Sequence, residues 1–528
     1  MKRAVTSHVS RAAAECHNAG VRLALHTLIV LSLAISACVP AHLERLVEKL
    51  PAPLTKPETD EDLARAFDGA TDADACRHLG RWIEEQHAHG ETAGVVQVGD
   101  HRVRFHPGGE GIFAPAYFDK LECADHFRVQ GLKHNHCDGV GVAMTGHREN
   151  KHTEPIEQYY PPEAITRVVT AVAVPGARRG GVREVEIRLY NRMKTETVVL
   201  AGKRQPLAGD FTVSFAGLLS NTRSLAESAL TSVLRQDSGK KTGFYLTEEY
   251  DPQRTPIIMI HGLLSTPLAW AELTNELRSD PAIRQRYQIW HYLYPTNAPP
   301  LYSARIMRLQ LDEFRRFLDP QQDDPAMRRT VIIAHSMGGL LAKSLVVDPK
   351  EAFWKPIFTL PLEKMNLTPW ERKMMIEAFY WKPRRHVDRI IFCSTPFRGS
   401  TWAASWVGRF GSLFIAQSHG FTDFFDEVEK KNPGMWQADF NTPSSGTVNS
   451  VMSLRPKQAS MDIFRSLPIV PTTATHVIKG SHDLFVSPQS ADCPGAESTL
   501  TVPSGHGSFH HPQAIAEIKR ILALPPHH

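Results

Sequence analysis

Apolar residues follow three different spacings along this chain. From about Leu23 to Ala37 they run almost without interruption. From about 60 to 216 they alternate with polar residues over short stretches, the period of half-buried strands. Beyond about 255 they gather into runs of five to seven residues: "TPIIMIHG", "YQIWHYLYP", "RTVIIAHS", "DRIIFCSTP", "THVIKGSHD" and "STLTVPSGH". Amphipathic segments separate these runs. Continuous apolar strands, each followed by a helix, predict a mostly parallel sheet covered on both faces. The helix predicted over 303–318 presents Ile306, Leu309, Phe314 and Phe317 as its buried face, interrupted by Glu313.

The middle regime reads differently. "CRHLGRWIEEQH" predicts a short helix, and "GVVQVGDHRVRFHP" a hairpin turning at Gly99-Asp100. "TRVVTAVAV", "GVREVEIRLY", "TETVVLAG" and "DFTVSFAG" predict four short strands of a small antiparallel sheet over about 165–216. No solenoid repeat or low-complexity tract interrupts the pattern. The division expected is a leader over 1–37, a Pro-punctuated tether over 38–60, a β-rich module over 61–240, and a larger α/β domain over 241–528. Within the last, segments near 353–385 and 400–465 break the strand–helix rhythm and read as cap insertions.

Charge refines this picture at one end. The chain carries a formal net charge of +4, and its first 37 residues hold Lys2, Arg3, Arg11 and Arg22 against Glu15 alone. The remainder is nearly neutral, with no electrostatic footprint for nucleic acid. A basic stretch, then an apolar run too short to span a bilayer, then small residues is the order of an export signal. The end of that run, Ile35-Ser36-Ala37-Cys38, resembles the lipobox of bacterial lipoproteins. That resemblance implies a lipidated Cys38 as the first mature residue, an anchor in the membrane facing the periplasm, and, from Val39, the outer membrane. Five cysteines then remain in the exported body, with Cys123 and Cys137 the closest pair in sequence.

Candidate chemistry sits where the strands end. "VIIAH" breaks into Ser336-Met337-Gly338-Gly339 and then an apolar helix. A sharp strand-to-helix turn needs small residues on either side of its tip, which Ala334 and Gly338 supply, and it lifts the Ser336 hydroxyl to a helix N-terminus. Gly339 lets that helix approach the sheet. His335 points to the other face of the strand and is not expected to be the base. After "PIIMI", the turn His261-Gly262 aims the Leu263 amide at a developing oxyanion, with the Met337 amide as its partner. A serine needs a base and the base a carboxylate. His506, between Gly505 and Gly507, follows one strand end, and Asp483 follows another. His510 and His511, next to Pro512, read as helix-cap or surface residues, and His482 as a neighbour that cannot supply the carboxylate. "HNHC", His134 to Cys137, lacks a second set of metal ligands.

Together, "IHGLLSTPLAW", "AHSMGGLL", "CSTPFRGS" and "GHGSFHHPQAIAEIKRIL" resemble the α/β-hydrolase superfamily over about 242–528, and within it the exported lipase- and esterase-like serine hydrolases. "PLAGDFTVSFAGLL" is similar to the leader region of the same lipoprotein-type enzymes. One departure is Asp483-Leu484-Phe485-Val486, where relatives often carry Asp-Gly-Val-Val. The resemblance implies a membrane-anchored hydrolase of small-molecule or lipid esters working through an acyl-enzyme, with Ser336, His506 and Asp483 as its triad and no metal or cofactor. An acyltransferase or thioesterase would use the same triad, and a binding protein could occupy the same fold. The stripe Trp402, Trp406, Phe410 and Phe414 reads either as packing or as the lining of an acyl pocket.

Overall fold

The computed structural model describes residues 47–49, 60–221, 242–296, 298, 300–400, 419–438 and 459–527. The leader, Cys38 with most of the tether, and the Trp402–Phe414 stripe lie outside the described residues, but within the tether Val47–Lys49 is a strand paired antiparallel with Phe127–Val129. No described helix is long and apolar enough to cross a membrane.

The long apolar runs build one seven-stranded sheet. Its order is Gly243–Leu246, Tyr287–Leu293, Thr255–Ile260, Thr330–His335, Val387–Cys393, Ala474–Gly480 and Ser498–Val502. The first pairing is antiparallel and every later one is parallel. Alternate residues of single strands enter different cores. Ile258, Ile260, Ile332, Ala334, Ile390 and Phe392 face one side, while Ile257, Met259, Val331, Ile333, Ile391 and Cys393 face the other. Both sides are therefore dry, which is why these strands are apolar throughout rather than alternating.

Helix Pro300–Leu318 covers the first face, but its buried stripe is Ala304, Met307, Leu311 and Phe314. Ile306 and Leu309 lie half-buried at its edge. The stripe is rotated because Arg305 and Arg308 are drawn inward by helix Pro369–Phe379. Arg305 pairs with the Glu377 carboxylate, and Arg308 donates to the Glu377 carbonyl at 2.8 Å and stacks on Trp381. The described parts of the two inserted segments pack on one another. Phe358 stacks on Trp436, Phe379 meets Phe425, and Trp370 meets Phe424.

The N-terminal module carries a second sheet. The hairpin at Gly99-Asp100 joins Val95–Val98 to His101–Phe105. Ile165–Arg179 and Val182–Asn191 pair as long antiparallel neighbours, while Thr197–Leu200 and Lys203–Pro206 form a separate hairpin. Helices Asp60–Phe67 and Ala73–Ala88 seal one side through Phe67, Trp82 and Ile83.

The fourth run read as a strand, "DFTVSFAG", is instead helix Phe211–Asn221. Asp210 caps it, its Oδ1 accepting from the Thr212 and Val213 amides at 3.0 and 2.8 Å. A segment apolar on all sides has no period to distinguish strand from helix. This helix is buried on nearly every side because it is wedged between the module and the larger domain. Phe215, Ala216, Leu218 and Leu219 share a cluster with Ala271 of helix Ala271–Ser279. Thr212 also donates to Asn275 Oδ1 at 2.9 Å across that contact.

All five described cysteines are free thiols. Cys137 accepts from Arg192 at 3.3 Å rather than approaching Cys123.

Candidate active site

The turn after Thr330–His335 is as tight as its small residues suggest. Ser336 adopts φ 52° and ψ −125°, a backbone conformation that costs a non-glycine residue on the order of 1–3 kcal/mol. The close packing of its neighbours holds it there. A Cβ on Gly338 would lie 2.4 Å from the His261 carbonyl oxygen, and one on Gly262 would lie 2.9 Å from Ser336 Cβ. The strand-end loop at 261–263 therefore presses directly on the elbow, and only residues without side chains allow the approach. Gly339 makes similar room for Thr395.

Ser336 Oγ lies 3.0 Å from His506 Nε2. On the far side of the ring, His506 Nδ1 lies 2.8 Å from Asp483 Oδ2. A carboxylate can only accept, so Nδ1 carries the ring proton and Nε2 is left to accept from the serine hydroxyl. The other carboxylate oxygen, Asp483 Oδ1, accepts from the Phe485 and Val486 amides at 2.8 and 2.9 Å. Burial opposes ionisation of Asp483. The hydrogen bond and charge of His506, with those two amides, outweigh it and hold the carboxyl below its usual range. The departure at Leu484 is harmless to this loop. Its side chain is 84% exposed, and the two amides that grip Asp483 follow it.

The rival histidines are engaged elsewhere. His510 pairs with Glu272 at 2.8 Å, His511 caps helix Pro512–Ala523, and His482 meets Ser481 at 2.9 Å. His134 of the "HNHC" stretch is bound to Asp210 at 2.5 Å.

Two histidines that do not touch the serine hydroxyl complete the surroundings. His335 is wholly buried among Trp270, Phe509 and the His506 ring. Its Nε2 lies 3.0 Å from the His506 carbonyl oxygen, so Nε2 must carry the proton and donate. Burial, then the nearby His506, keeps His335 neutral by lowering its pKa well below the usual value. His261 Nε2 receives the Tyr294 amide at 3.4 Å, so its Nδ1–H donates to the Gly262 carbonyl at 3.0 Å. Burial lowers its pKa to about 4, so this donor stays neutral too. Gly262 C=O and Leu263 N–H belong to one planar peptide, so fixing the carbonyl fixes the direction of the amide. Met337 opens helix Met337–Lys343, where its N–H has no intrahelical acceptor. Sequence reasoning set His335 aside as a base, and its supporting bond was not legible. The partner atom lies 171 residues away.

Residues 257–518 match the profile of the alpha/beta hydrolase family. This part of the chain has the α/β-hydrolase fold. Solved structures similar to it include the Bacillus licheniformis lipase BlEst2. The propeptide form is 16% identical over 53% of this chain and 52% of its own, with a TM-score of 0.31. The chain thus spans about half the length of that relative. The mature form is 16% identical over 52% and 95%, TM-score 0.30. A thermophilic esterase from Thermogutta terrifontis is 17% identical over 51% and 91%, TM-score 0.27. A search of curated proteins gives no match. The carboxyl end of the seven-stranded sheet carries Ser336 in a strained turn, the His506 imidazole and the Asp483 carboxylate in one hydrogen-bonded line.

Proposed function

We propose that this protein is a serine hydrolase that cleaves carboxylic esters with an apolar acyl group through an acyl-enzyme. The observation that carries the reading is the unbroken line Asp483–His506–Ser336, with 2.8 and 3.0 Å links. His506 Nε2 takes the hydroxyl proton as Ser336 Oγ attacks the ester carbon. The carbonyl π electrons move to oxygen, where the Leu263 and Met337 amides hold the charge. One such donor is worth about 3 kcal/mol of transition-state stabilisation. Collapse expels the alcohol, which takes the proton from His506. Water then enters, gives its proton to His506 and attacks the acyl carbon, and Ser336 leaves with that proton restored. Asp483 stabilises the imidazolium in both halves.

An apolar acyl group is a reading supported by the large apolar side chains written into the two inserted segments, 353–385 and 400–465. A lipid on Cys38 would hold the enzyme at the outer membrane on its periplasmic face, a reading supported by the order of basic, apolar and small residues before it. A fluorophosphonate probe tests the nucleophile. Labelling is expected in the wild type and lost in Ser336→Ala. An unlabelled wild type would favour a binding protein, and labelling that survives the substitution would mean another nucleophile. Acid release from short and long p-nitrophenyl esters, with and without an alcohol acceptor, separates hydrolase from transferase.

A further inference from the structure

We propose that the N-terminal module binds a zinc-type metal ion between Glu84, Cys123 and His126. This departs from the expectation of no metal, and it stands independently of the reaction at Ser336. A carboxylate oxygen, the thiol sulfur and a ring nitrogen of these residues all lie within 4.8 Å of one another. They converge from two directions. Helix Ala73–Ala88 supplies Glu84. Cys123 ends the strand Lys120–Cys123, and the single turn Ala124–His126 carries His126 back toward the same helix.

The arrangement is specific in two ways. His126 Nδ1 faces Glu84 Oε1 at 3.2 Å, and the same oxygen accepts the Cys123 amide, which fixes the carboxylate. Gly80, one turn before Glu84, leaves a notch for the sulfur, since a Cβ there would sit 2.5 Å from Cys123 Sγ. The Asp125 carboxylate stands 3.8 Å from His126 Nε2, on the ring nitrogen that does not face Glu84. At that distance it makes no hydrogen bond to the ring and contributes only negative charge beside the cluster.

The donor set selects the ion. Sulfur with imidazole and one carboxylate suits zinc and disfavours magnesium or calcium, which take oxygen. Tetrahedral zinc holds its ligand atoms roughly 3.3–3.8 Å apart, so the three need close by only about 1 Å. Binding replaces the thiol proton: the sulfur lone pair forms the metal bond and the proton goes to solvent. Cys123 is buried, whereas Glu84 and His126 are half-buried, so water completes the fourth position. The ion would pin the helix to the edge strand of the sheet, and binding only the folded module would raise its stability.

The full chain, stripped with a chelator, is titrated with Co²⁺. The expected result is one equivalent bound, a sulfur-to-cobalt charge-transfer band in the near ultraviolet, and discharge of that band by Zn²⁺. Cys123→Ser should abolish the band and Cys76→Ser should leave it. Glu84→Gln and His126→Gln should each weaken cobalt binding at least about tenfold. A wild type without a stoichiometric band overturns the proposal, as does a band that survives Cys123→Ser. Should Cys123→Ser fail to fold by circular dichroism, the two half-buried variants decide, and unchanged affinity in both also overturns it.

Discussion

His335 donates from Nε2 to the main-chain carbonyl of His506 at 3.0 Å, while the next residue, Ser336, meets the His506 ring at 3.0 Å. One strand end thus grips both the backbone and the imidazole of the loop that carries His506. The first bond limits where the second can form. His335 is a positioning residue in this scheme, neutral because it is buried and unable to serve as the base.

Replacing His335 by Leu should therefore lower kcat with little change in KM. A shift of about 1 Å in a reacting group can cost on the order of a hundredfold. Gln, which keeps an N–H donor, should recover part of that loss. Steady-state kinetics of both variants, at matched thermal midpoints, check this. Equal losses in Leu and Gln would reduce His335 to a packing residue.

Asp483→Asn should keep the acceptor for the Phe485 and Val486 amides yet present an N–H to His506 Nδ1. The ring would then protonate at Nε2 and could no longer accept from Ser336. A drop in kcat of about 10⁴ is expected, from ester turnover assays.

The same residue makes stability depend on pH. Its folded-state pKa lies below its unfolded one, so the ionised form stabilises the fold above the ordinary carboxylate range. That contribution is lost as pH falls through the range and on through the folded value. Urea midpoints of wild type and Asp483→Asn should differ most near neutrality and converge in acid.

Gly338→Ala places a methyl group 2.4 Å from a main-chain carbonyl oxygen in the packed contact between the elbow and the 261–263 loop. Overpacking of this kind costs typically about 1–3 kcal/mol. A lower thermal midpoint and slower fluorophosphonate labelling should appear together, because the strain lies at the nucleophile itself.

If Cys38 carries the lipid proposed above, Cys38→Ser should release the protein from the membrane fraction without changing turnover of a soluble ester. Fractionation and mass spectrometry of the mature N-terminus check the anchor. A wild type without an acylated N-terminal cysteine would leave only an ordinary export signal.

Local pattern alone specified much of this molecule. Runs such as Val331–Ala334 marked buried parallel strands, because a strand covered on both faces has no polar side. The Ser336 turn was legible from its small neighbours, and Asp483 and His506 from their places just after strand ends. Four features were decided only by tertiary packing. Phe211–Asn221 became a helix because two bodies enclose it and Asp210 caps it. The stripe on Pro300–Leu318 rotated because Glu377 draws two arginines inward. The bond from His335 to His506, and the meeting of Glu84 with Cys123 and His126, join residues far apart in the chain. Hydrophobic period is written within a dozen residues and survives in the sequence. A hydrogen-bond partner is chosen by where the folded chain returns, and no local window holds that information.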